Sequence, residues 1–240
     1  MCGRFGLFHV REDLHAAYMT ANPPPVIMPR YNIAPTQAVL AVIRAANRSE
    51  RGLTGFQWGL IPPWAKDPAI GAKMNNARSE TIAEKPSFRN AFRRRRCLIP
   101  ASGFYEWTST GTGPKQPVWI ARPDAGLVTF AGLWEVWHSP DGGELQTCTI
   151  VTTAANETLK PYHHRMPVVL TPDSFEAWLG DGQESREDQA RAASLMVPAS
   201  EDALTVRPVG PAVSSTRNDG PELLEEVSPE VMAPKQGELF

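Results

Sequence analysis

The chain has 240 residues, of which 42% are hydrophobic and 21% are charged, and its formal net charge is −2. This length supports a core that needs no disulfide or metal to hold it together, and the near-neutral charge does not by itself indicate a nucleic-acid-binding protein. No apolar run approaches the ~18 residues of a membrane span, which excludes a membrane helix, and we expect no secretory signal.

Short strands, helices and proline-rich breaks alternate in the first 100 residues. Apolar patterns predict strands over 4–10, 38–44, 56–61 and 97–100, and helices over 11–20 and part of 79–96. Ser87 is a plausible cap for the second helix. Residues 30–36 are predicted to be irregular and to end at Pro35.

Strands dominate the remainder of the chain. They are predicted over 103–107, 118–121, 127–136, 146–152, 168–170 and 204–208, with helices over 173–179 and 185–196. No linker is long enough to divide the chain. We therefore predict an α+β fold, a single domain over residues 1–227 with a curved, largely antiparallel, barrel-like sheet flanked by short helices, followed by a C-terminal tail over 228–240.

The cysteines indicate a reducing compartment. There are three, Cys2, Cys97 and Cys148, and none forms a C-x-x-C pair. An odd, widely spaced set argues against a disulfide framework and against structural zinc, so a cytoplasmic protein is expected. The chain also lacks a phosphate-binding loop, an H-E-x-x-H motif and a G-x-S-x-G motif. We expect no cofactor and no metal.

Cys2 is chemically distinctive because of its position. Removal of the initiator methionine would leave an amine and a thiol on the same residue. Such an aminothiol forms an imine with an aldehyde, and the thiol then closes a thiazolidine ring. Both groups are partly reactive at neutral pH, since an α-amine titrates near ~8 and a thiol near ~8.5. The alternative is that any small residue is tolerated at position two.

Three further motifs could assist an aminothiol. Glu106 lies between two aromatic residues on a predicted strand, where desolvation would raise its pKa and make it a general acid or base. Histidine is the usual proton shuttle at pH 7, and of the adjacent pair His163-His164 only one side chain is expected to enter a site. Asn76 could orient an imine or a sugar, and Arg78 has the planar fork suited to phosphate. An exposed Glu106, a polar surface pair of histidines and a capped, solvated helix are the alternatives.

Other residues could contact a nucleic acid. The run Arg93–Arg96 could be a basic patch, although such runs are usually solvated surface charge. Trp58, Trp64 and Trp107 could stack on bases, or could belong to the core. These features alone do not decide between the two interpretations.

Taken together, the motifs resemble those of the SOS response associated peptidase (SRAP) family, the abasic-site processing proteins. The matching segments are spread over residues 2 to about 227: MCGRF at 1–5, WGLIP at 58–62, NARSE at 76–80, CLIPASGFYEW at 97–107, HHRMP at 163–167 and RND at 217–219. Each is modest alone, but their combination in this order is specific.

The resemblance implies a DNA-damage function with named roles. Cys2, after autocatalytic removal of Met1, would form a covalent thiazolidine with an abasic site in single-stranded DNA. Glu106 would serve as acid or base, His163 as second proton shuttle and Asn76 as the orienting residue. The DNA-contacting residues would be Arg4, Arg78, Trp64, Trp107 and Arg165. Cross-linking, lyase-type and autoproteolytic hydrolase activities, a monomeric state and association with the nucleoid are expected.

Two other functions remain open at this stage. A thiol peptidase would use Cys2, His163 and Glu106 on other proteins and would not need DNA. A non-catalytic single-strand binder would use Arg78, the Arg93–Arg96 run and the tryptophans, and its affinity would fall steeply with salt whether or not an abasic site is present.

Overall fold

β-Strands outnumber α-helices in the computed structural model, which describes residues 2–21, 28–44, 50–109, 114–180 and 184–228. The strands are β1 (Phe5–Leu7), β2 (Arg30–Ile33), β3 (Ala38–Arg44), β4 (Arg51–Trp58), β5 (Asn76–Arg78), β6 (Arg96–Ala101), β7 (Gly103–Thr108), β8 (Gln116–Ala121), β9 (Val128–His138), β10 (Glu144–Ala154), β11 (Arg165–Pro167), β12 (Val169–Leu170) and β13 (Thr205–Pro208). The helices are α1 (Arg11–Tyr18), α2 (Arg89–Arg94), α3 (Phe175–Leu179) and α4 (Arg186–Ser194).

Five strands close into a barrel. Their order is β10-β4-β3-β6-β9, and β9 returns to pair with β10. Every pairing in this ring is antiparallel except that of β4 with β10, where Gln57 lies opposite Thr147 and Trp58 opposite Cys148. Closure leaves no free edge in the ring. The predicted α+β class and the largely antiparallel, barrel-like sheet with short helices are confirmed.

A second, fully antiparallel sheet lies against the barrel and contains the N-terminal strand. Its order is β13-β8-β7-β1-β2. On one face, the Phe5 ring contacts Trp58 and Phe130 of the barrel at centroid distances of 5.1 and 5.9 Å. On the other face, Tyr105 and Trp119 are buried in a separate apolar cluster, which also includes Val209, Val213 and Leu223 of the C-terminal segment. The strand that follows Cys2 is therefore fixed from both sides.

The arginine run at the end of α2 makes ion pairs with other parts of the chain. Arg93 and Arg94 both contact Glu184, and Arg95 contacts the buried carboxylate of Glu135. Arg96 is buried, pairs with Asp188 and donates to the carbonyl oxygens of Trp178 and Phe92. The run is thus neither a simple solvated face nor a free basic patch.

The buried ion pair between Arg96 and Asp188 explains why residue 180 is a glycine. Gly180, at the end of α3, has a positive φ of 70°. A Cβ atom there would overlap both the Arg96 guanidinium and the Asp188 carboxylate. Only glycine combines this backbone conformation with the space that the ion pair occupies.

Three sequence-based expectations differ from the structure. Residues 30–33 form β2 instead of an irregular segment, because Asp219 accepts hydrogen bonds from the backbone amides of Tyr31 and Asn32 and supports this edge strand. The helix predicted within 79–96 is limited to α2, and Phe88, not Ser87, precedes its first turn. Residues 76–78 form β5 instead of the expected loop that enters a helix near Ala77, since β10 offers them an edge.

The remaining predicted elements agree in position within a few residues. Strand β4 ends at Trp58, before the predicted end, because the next residue, Gly59, has a φ of 126° and turns the chain. The described residues end at Ser228, and the rest of the predicted tail lies outside them, so the domain boundary stays a prediction. No helix in the described ranges is both long and apolar enough to cross a membrane.

Candidate active site

Strand pairing brings Cys2 close to Glu106. β1 pairs with β7 so that Phe5 lies opposite Phe104, and the Tyr105 amide donates to the Arg4 carbonyl at 2.9 Å. The antiparallel register therefore continues towards Cys2 on one strand and Glu106 on the other. Both residues are buried, with Cys2 fully inaccessible and Glu106 5% exposed.

The environment keeps the Cys2 thiol protonated. Burial raises its pKa well above the ordinary value, and the Glu106 carboxylate raises it further, while the Arg4 backbone amide acts in the opposite direction. Burial also raises the pKa of the Glu106 carboxyl, with the Lys115 ammonium opposing this shift. The carboxyl can consequently hold a proton closer to neutrality than an exposed glutamate.

Asn76 fixes the backbone of Cys2. It lies on β5, which pairs in parallel with β10, Asn76 opposite Ile150. Its side-chain amide donates to the Cys2 carbonyl oxygen at 2.8 Å. Its amide oxygen, Oδ1, is buried and has no hydrogen-bond partner among the described residues, so it can accept a hydrogen bond from a bound molecule.

His163 approaches from the other side of β10. It ends the loop before β11, which pairs with the end of β10, Arg165 opposite Ala154. Burial lowers the pKa of the half-buried imidazole to about 4, and the positive charge of Lys115 contributes a smaller part. His163 is therefore neutral at physiological pH, so its ring has one donor nitrogen and one acceptor nitrogen.

Arg4 and Trp107 support the same region. The Arg4 guanidinium lies 5.6 Å from the centre of the Trp107 ring and donates to Asn32 Oδ1 and to the Val213 carbonyl at 2.8 and 2.9 Å. The Asn32 amide donates in turn to the carbonyls of Val213, Ser215 and Asn218. Asn32, which the sequence analysis missed, thus joins the N-terminal strand to the C-terminal loop. Its only local signal was an asparagine between apolar residues.

The other predicted DNA-contacting residues are less closely associated with the region around Cys2. Arg78 is exposed, and its guanidinium makes no hydrogen bond or ion pair within the described part of the chain. Arg165 is largely buried and paired with Glu80. Trp64 is 58% exposed on the loop after β4, and within the described ranges no hydrogen bond or ring contact joins it to Cys2, Asn76, Glu106 or His163.

A thiol, a buried carboxyl, a neutral imidazole and a side-chain amide come from four separate segments. A thiol together with groups that can give and take protons can support nucleophilic addition at a carbonyl carbon. Among the described residues, no three His, Cys, Asp or Glu side chains lie close enough together to hold a metal ion.

Comparison with known proteins matches nearly the whole chain. The family model described as "SOS response associated peptidase (SRAP)" matches residues 1–216. The abasic site processing protein YoqW of Bacillus subtilis is 42% identical over 227 residues, 94% of this chain and 99% of its own length. The abasic site processing protein HMCES of Gallus gallus is 36% identical over 215 residues, 80% of this chain and 62% of the longer relative.

Solved structures share the fold. A protein from Bacteroides thetaiotaomicron superposes with a TM-score of 0.82 at 25% identity, covering 95% of this chain and all of the other. A protein from Bordetella bronchiseptica gives a TM-score of 0.74 at 26% identity, with 87% of this chain and all of the other covered. The barrel and its flanking sheet thus occur in experimentally determined structures.

Proposed function

The chain belongs to the SOS response associated peptidase family, and on that premise we propose that it processes abasic sites in single-stranded DNA by forming a covalent thiazolidine cross-link through Cys2. The observation that carries the proposal is that the Asn76 side-chain amide holds the Cys2 carbonyl and that the Glu106 carboxylate acts on the pKa of the Cys2 thiol, in a residue that would carry an amine and a thiol together once Met1 is removed.

The reaction begins with the amine. An abasic site in its ring-opened form carries an aldehyde at C1′. The Cys2 amine adds to this carbon, the carbonyl oxygen leaves as water, and a carbon–nitrogen double bond forms. The Cys2 sulfur then bonds to the same carbon while the thiol proton passes to the nitrogen. The product is a five-membered ring whose mass equals protein plus DNA minus one water.

The ring protects the DNA strand. An imine alone activates the neighbouring C2′ proton and promotes β-elimination, which cuts the strand. Sulfur addition removes the double bond that provides this activation. Cross-linking and lyase-type cleavage are therefore two outcomes of one imine, and the position of the Cys2 thiol determines which of them predominates.

We assign proton transfer to Glu106 and His163. Because the thiol is held protonated, it needs a base as it closes the ring, and the Glu106 carboxylate is proposed to accept and return that proton. Glu106 also assists ring opening of the sugar and imine formation, while His163, neutral at pH 7, is the second proton shuttle and supports reversal of the cross-link. Asn76 holds the Cys2 backbone and offers its free amide oxygen to the sugar.

The DNA strand is proposed to follow the exposed residues around this centre. Arg78 offers an uncompensated charge to a phosphate, and Trp107, stacked beside Arg4, offers a surface for a base. Trp64 extends the path as an exposed aromatic residue. Arg4 and Arg165 already have internal partners, and their proposed phosphate contacts are additional to these.

The family description also names a peptidase. We propose that the bond cleaved is the one between Met1 and Cys2, so that autoproteolysis prepares the aminothiol. The mature protein would act as a monomer in the cytoplasm and join the nucleoid when bound to damaged DNA.

Intact-mass spectrometry tests the proposal directly. The purified protein is measured alone and after mixing with a single-stranded oligonucleotide that carries one abasic site. Loss of Met1 and a heat-stable adduct of protein plus DNA minus one water are expected. The matched control oligonucleotide carries a tetrahydrofuran residue, which has no aldehyde, and should give no adduct. No adduct with the aldehyde, together with cleavage of unrelated peptides, would favour a thiol peptidase instead.

A further inference from the structure

We infer that Glu80 is a positioning residue: through Arg165 it holds the His163 imidazole in one orientation. The inference rests on the proposed function for its catalytic consequence, but its structural content can be tested without DNA. Glu80 itself contacts neither Cys2 nor His163 through any hydrogen bond or ion pair within the described ranges.

The His163 ring is held by the backbone of Arg165. The Arg165 amide donates to His163 Nδ1 at 2.9 Å, and the ring stacks on His164 at a centroid distance of 4.4 Å. The same nitrogen lies 3.1 Å from the Arg165 carbonyl oxygen, so it can accept from the amide in one tautomer and donate to the carbonyl in the other. In either tautomer the backbone of Arg165 therefore sets the orientation of the His163 ring.

The side chain of Arg165 fixes that backbone in turn. Its two terminal nitrogens form a fork on the Glu80 carboxylate, with Nη2 3.0 Å from Oε2. Nη2 also donates to the Thr152 carbonyl on β10 at 2.6 Å. Only 11% of the Arg165 side chain is exposed, so the guanidinium has little freedom to reorient. Two-point recognition of this kind restrains direction as well as distance.

Thr152 is the centre of this arrangement. Its carbonyl accepts from the Ser79 amide at 2.9 Å as well as from Arg165. Glu80 follows directly after Ser79, at the end of the segment that begins with Asn76. The ion pair thereby locks the segment bearing Asn76 to the strand that follows His163, across the end of β10.

This assignment differs from a phosphate-binding role for Arg165. Glu80 neutralises the Arg165 charge, and hydrogen bonding to Arg165 lowers the pKa of the Glu80 carboxyl. If Arg165 served chiefly to bind phosphate, removing the Glu80 charge would strengthen DNA binding and leave the imidazole unaffected. If Glu80 positions His163, the same change disturbs the imidazole. The two roles therefore predict different results for the His163 imidazole when the Glu80 charge is removed.

The test uses Glu80→Gln, with Glu157→Gln as the matched control. Glu157 also forms an ion pair, with Lys160, and lies just before the His163 loop, but it does not contact Arg165. The 15N shifts of the His163 ring, assigned with His163→Gln, are measured at pH 7 without DNA. We expect the wild-type and Glu157→Gln shifts to agree with each other, and those of Glu80→Gln to differ from both because the ring is no longer held in one orientation.

Reaction rates complete the test. Adduct formation and reversal on the abasic oligonucleotide should slow roughly 10-fold in Glu80→Gln and should not change in Glu157→Gln. Adding Glu80→Gln to His163→Gln should have no further effect. Unchanged 15N shifts in Glu80→Gln, or an equal slowing in the His163→Gln background, would overturn the inference. If wild-type protein formed no adduct, the proposed function would fail while the 15N shifts still decided the role of Glu80.

Discussion

The side-chain amide of Asn76 donates a 2.8 Å hydrogen bond to the carbonyl oxygen of Cys2, so a residue far along the chain holds the backbone of Cys2 in position. Replacing Asn76 by alanine should slow adduct formation about 100-fold, because small misplacements of reacting groups have effects of this size. Single-turnover rates on the abasic oligonucleotide provide the measurement. Asn75→Ala is the control, since only the backbone of Asn75 makes hydrogen bonds in the described structure; equal effects of the two variants would contradict the positioning role.

Removing the thiol should separate the two fates of the imine. In Cys2→Ala the amine remains, so strand cleavage should persist while the heat-stable adduct disappears. Denaturing gels of the labelled oligonucleotide report both products. Cys148→Ala serves as control, since Cys148 is equally buried but lies on β10 within the barrel core. A heat-stable adduct from Cys2→Ala would contradict ring formation.

The pH dependence of stability should report the lowered pKa of His163. The folded protein has a His163 pKa of about 4, below the ordinary 6.5 of an unfolded chain, so the unfolded state binds the proton more tightly. The corresponding contribution to stability is present in full above pH 6.5 and is lost as the pH falls towards 4. Urea denaturation of wild type and His163→Gln at steps between pH 7.5 and 4 should show the wild type losing more stability, and parallel curves would refute the shift.

Arg78 should contribute to DNA binding through its charge alone. Each phosphate contact to a single strand contributes about −0.7 to the slope of log K against log salt, so Arg78→Gln should weaken binding and reduce the slope by about that amount. Fluorescence anisotropy at several salt concentrations measures both quantities. Arg94→Gln is matched in charge and exposure, but Arg94 is already paired with Glu184 and should show little change. Equal slopes for wild type and Arg78→Gln would exclude a phosphate contact.

The buried ion pair between Arg96 and Asp188 should dominate the stability of the α3–α4 region. Arg96→Met leaves a buried carboxylate without its partner and should lower the free energy of unfolding by about 3–5 kcal/mol. Arg96→Met combined with Asp188→Leu should recover much of this loss. Urea midpoints measure both variants, and additive losses in the double variant would show that the charges do not compensate each other.

The sequence predicted elements wherever local patterns determine structure. β3, β6, β7, β9 and α4 follow from apolar runs or helical spacing, and the succession of short strands indicated the barrel-like sheet. β2 was missed because its support comes from Asp219, almost the whole chain away. β5 was missed because three residues carry no periodic signal and depend on the edge of β10.

The candidate site was predictable as a set of residues but not as an arrangement. The motifs named Cys2, Asn76, Glu106 and His163, whose chemistry stands out in the sequence. The pairing of Arg165 with Glu80 could not be foreseen, because nothing local distinguishes an arginine that binds phosphate from one that meets a carboxylate 85 residues away. The contacts of Asn32 could not be foreseen for the same reason, since they join segments that are far apart in the sequence.

The hydrogen bonds from Arg4 and Asn32 to the C-terminal loop have a consequence for biosynthesis. Cys2 leaves the ribosome long before Val213, Ser215 and Asn218, whose carbonyls hold Arg4 and Asn32. A nascent chain therefore carries Cys2 before it can make the contacts that order the strand after it. The order of synthesis delays these contacts until the segment from Val213 to Asn218 has been made, and a fragment that stops before Val213 retains the cysteine without them.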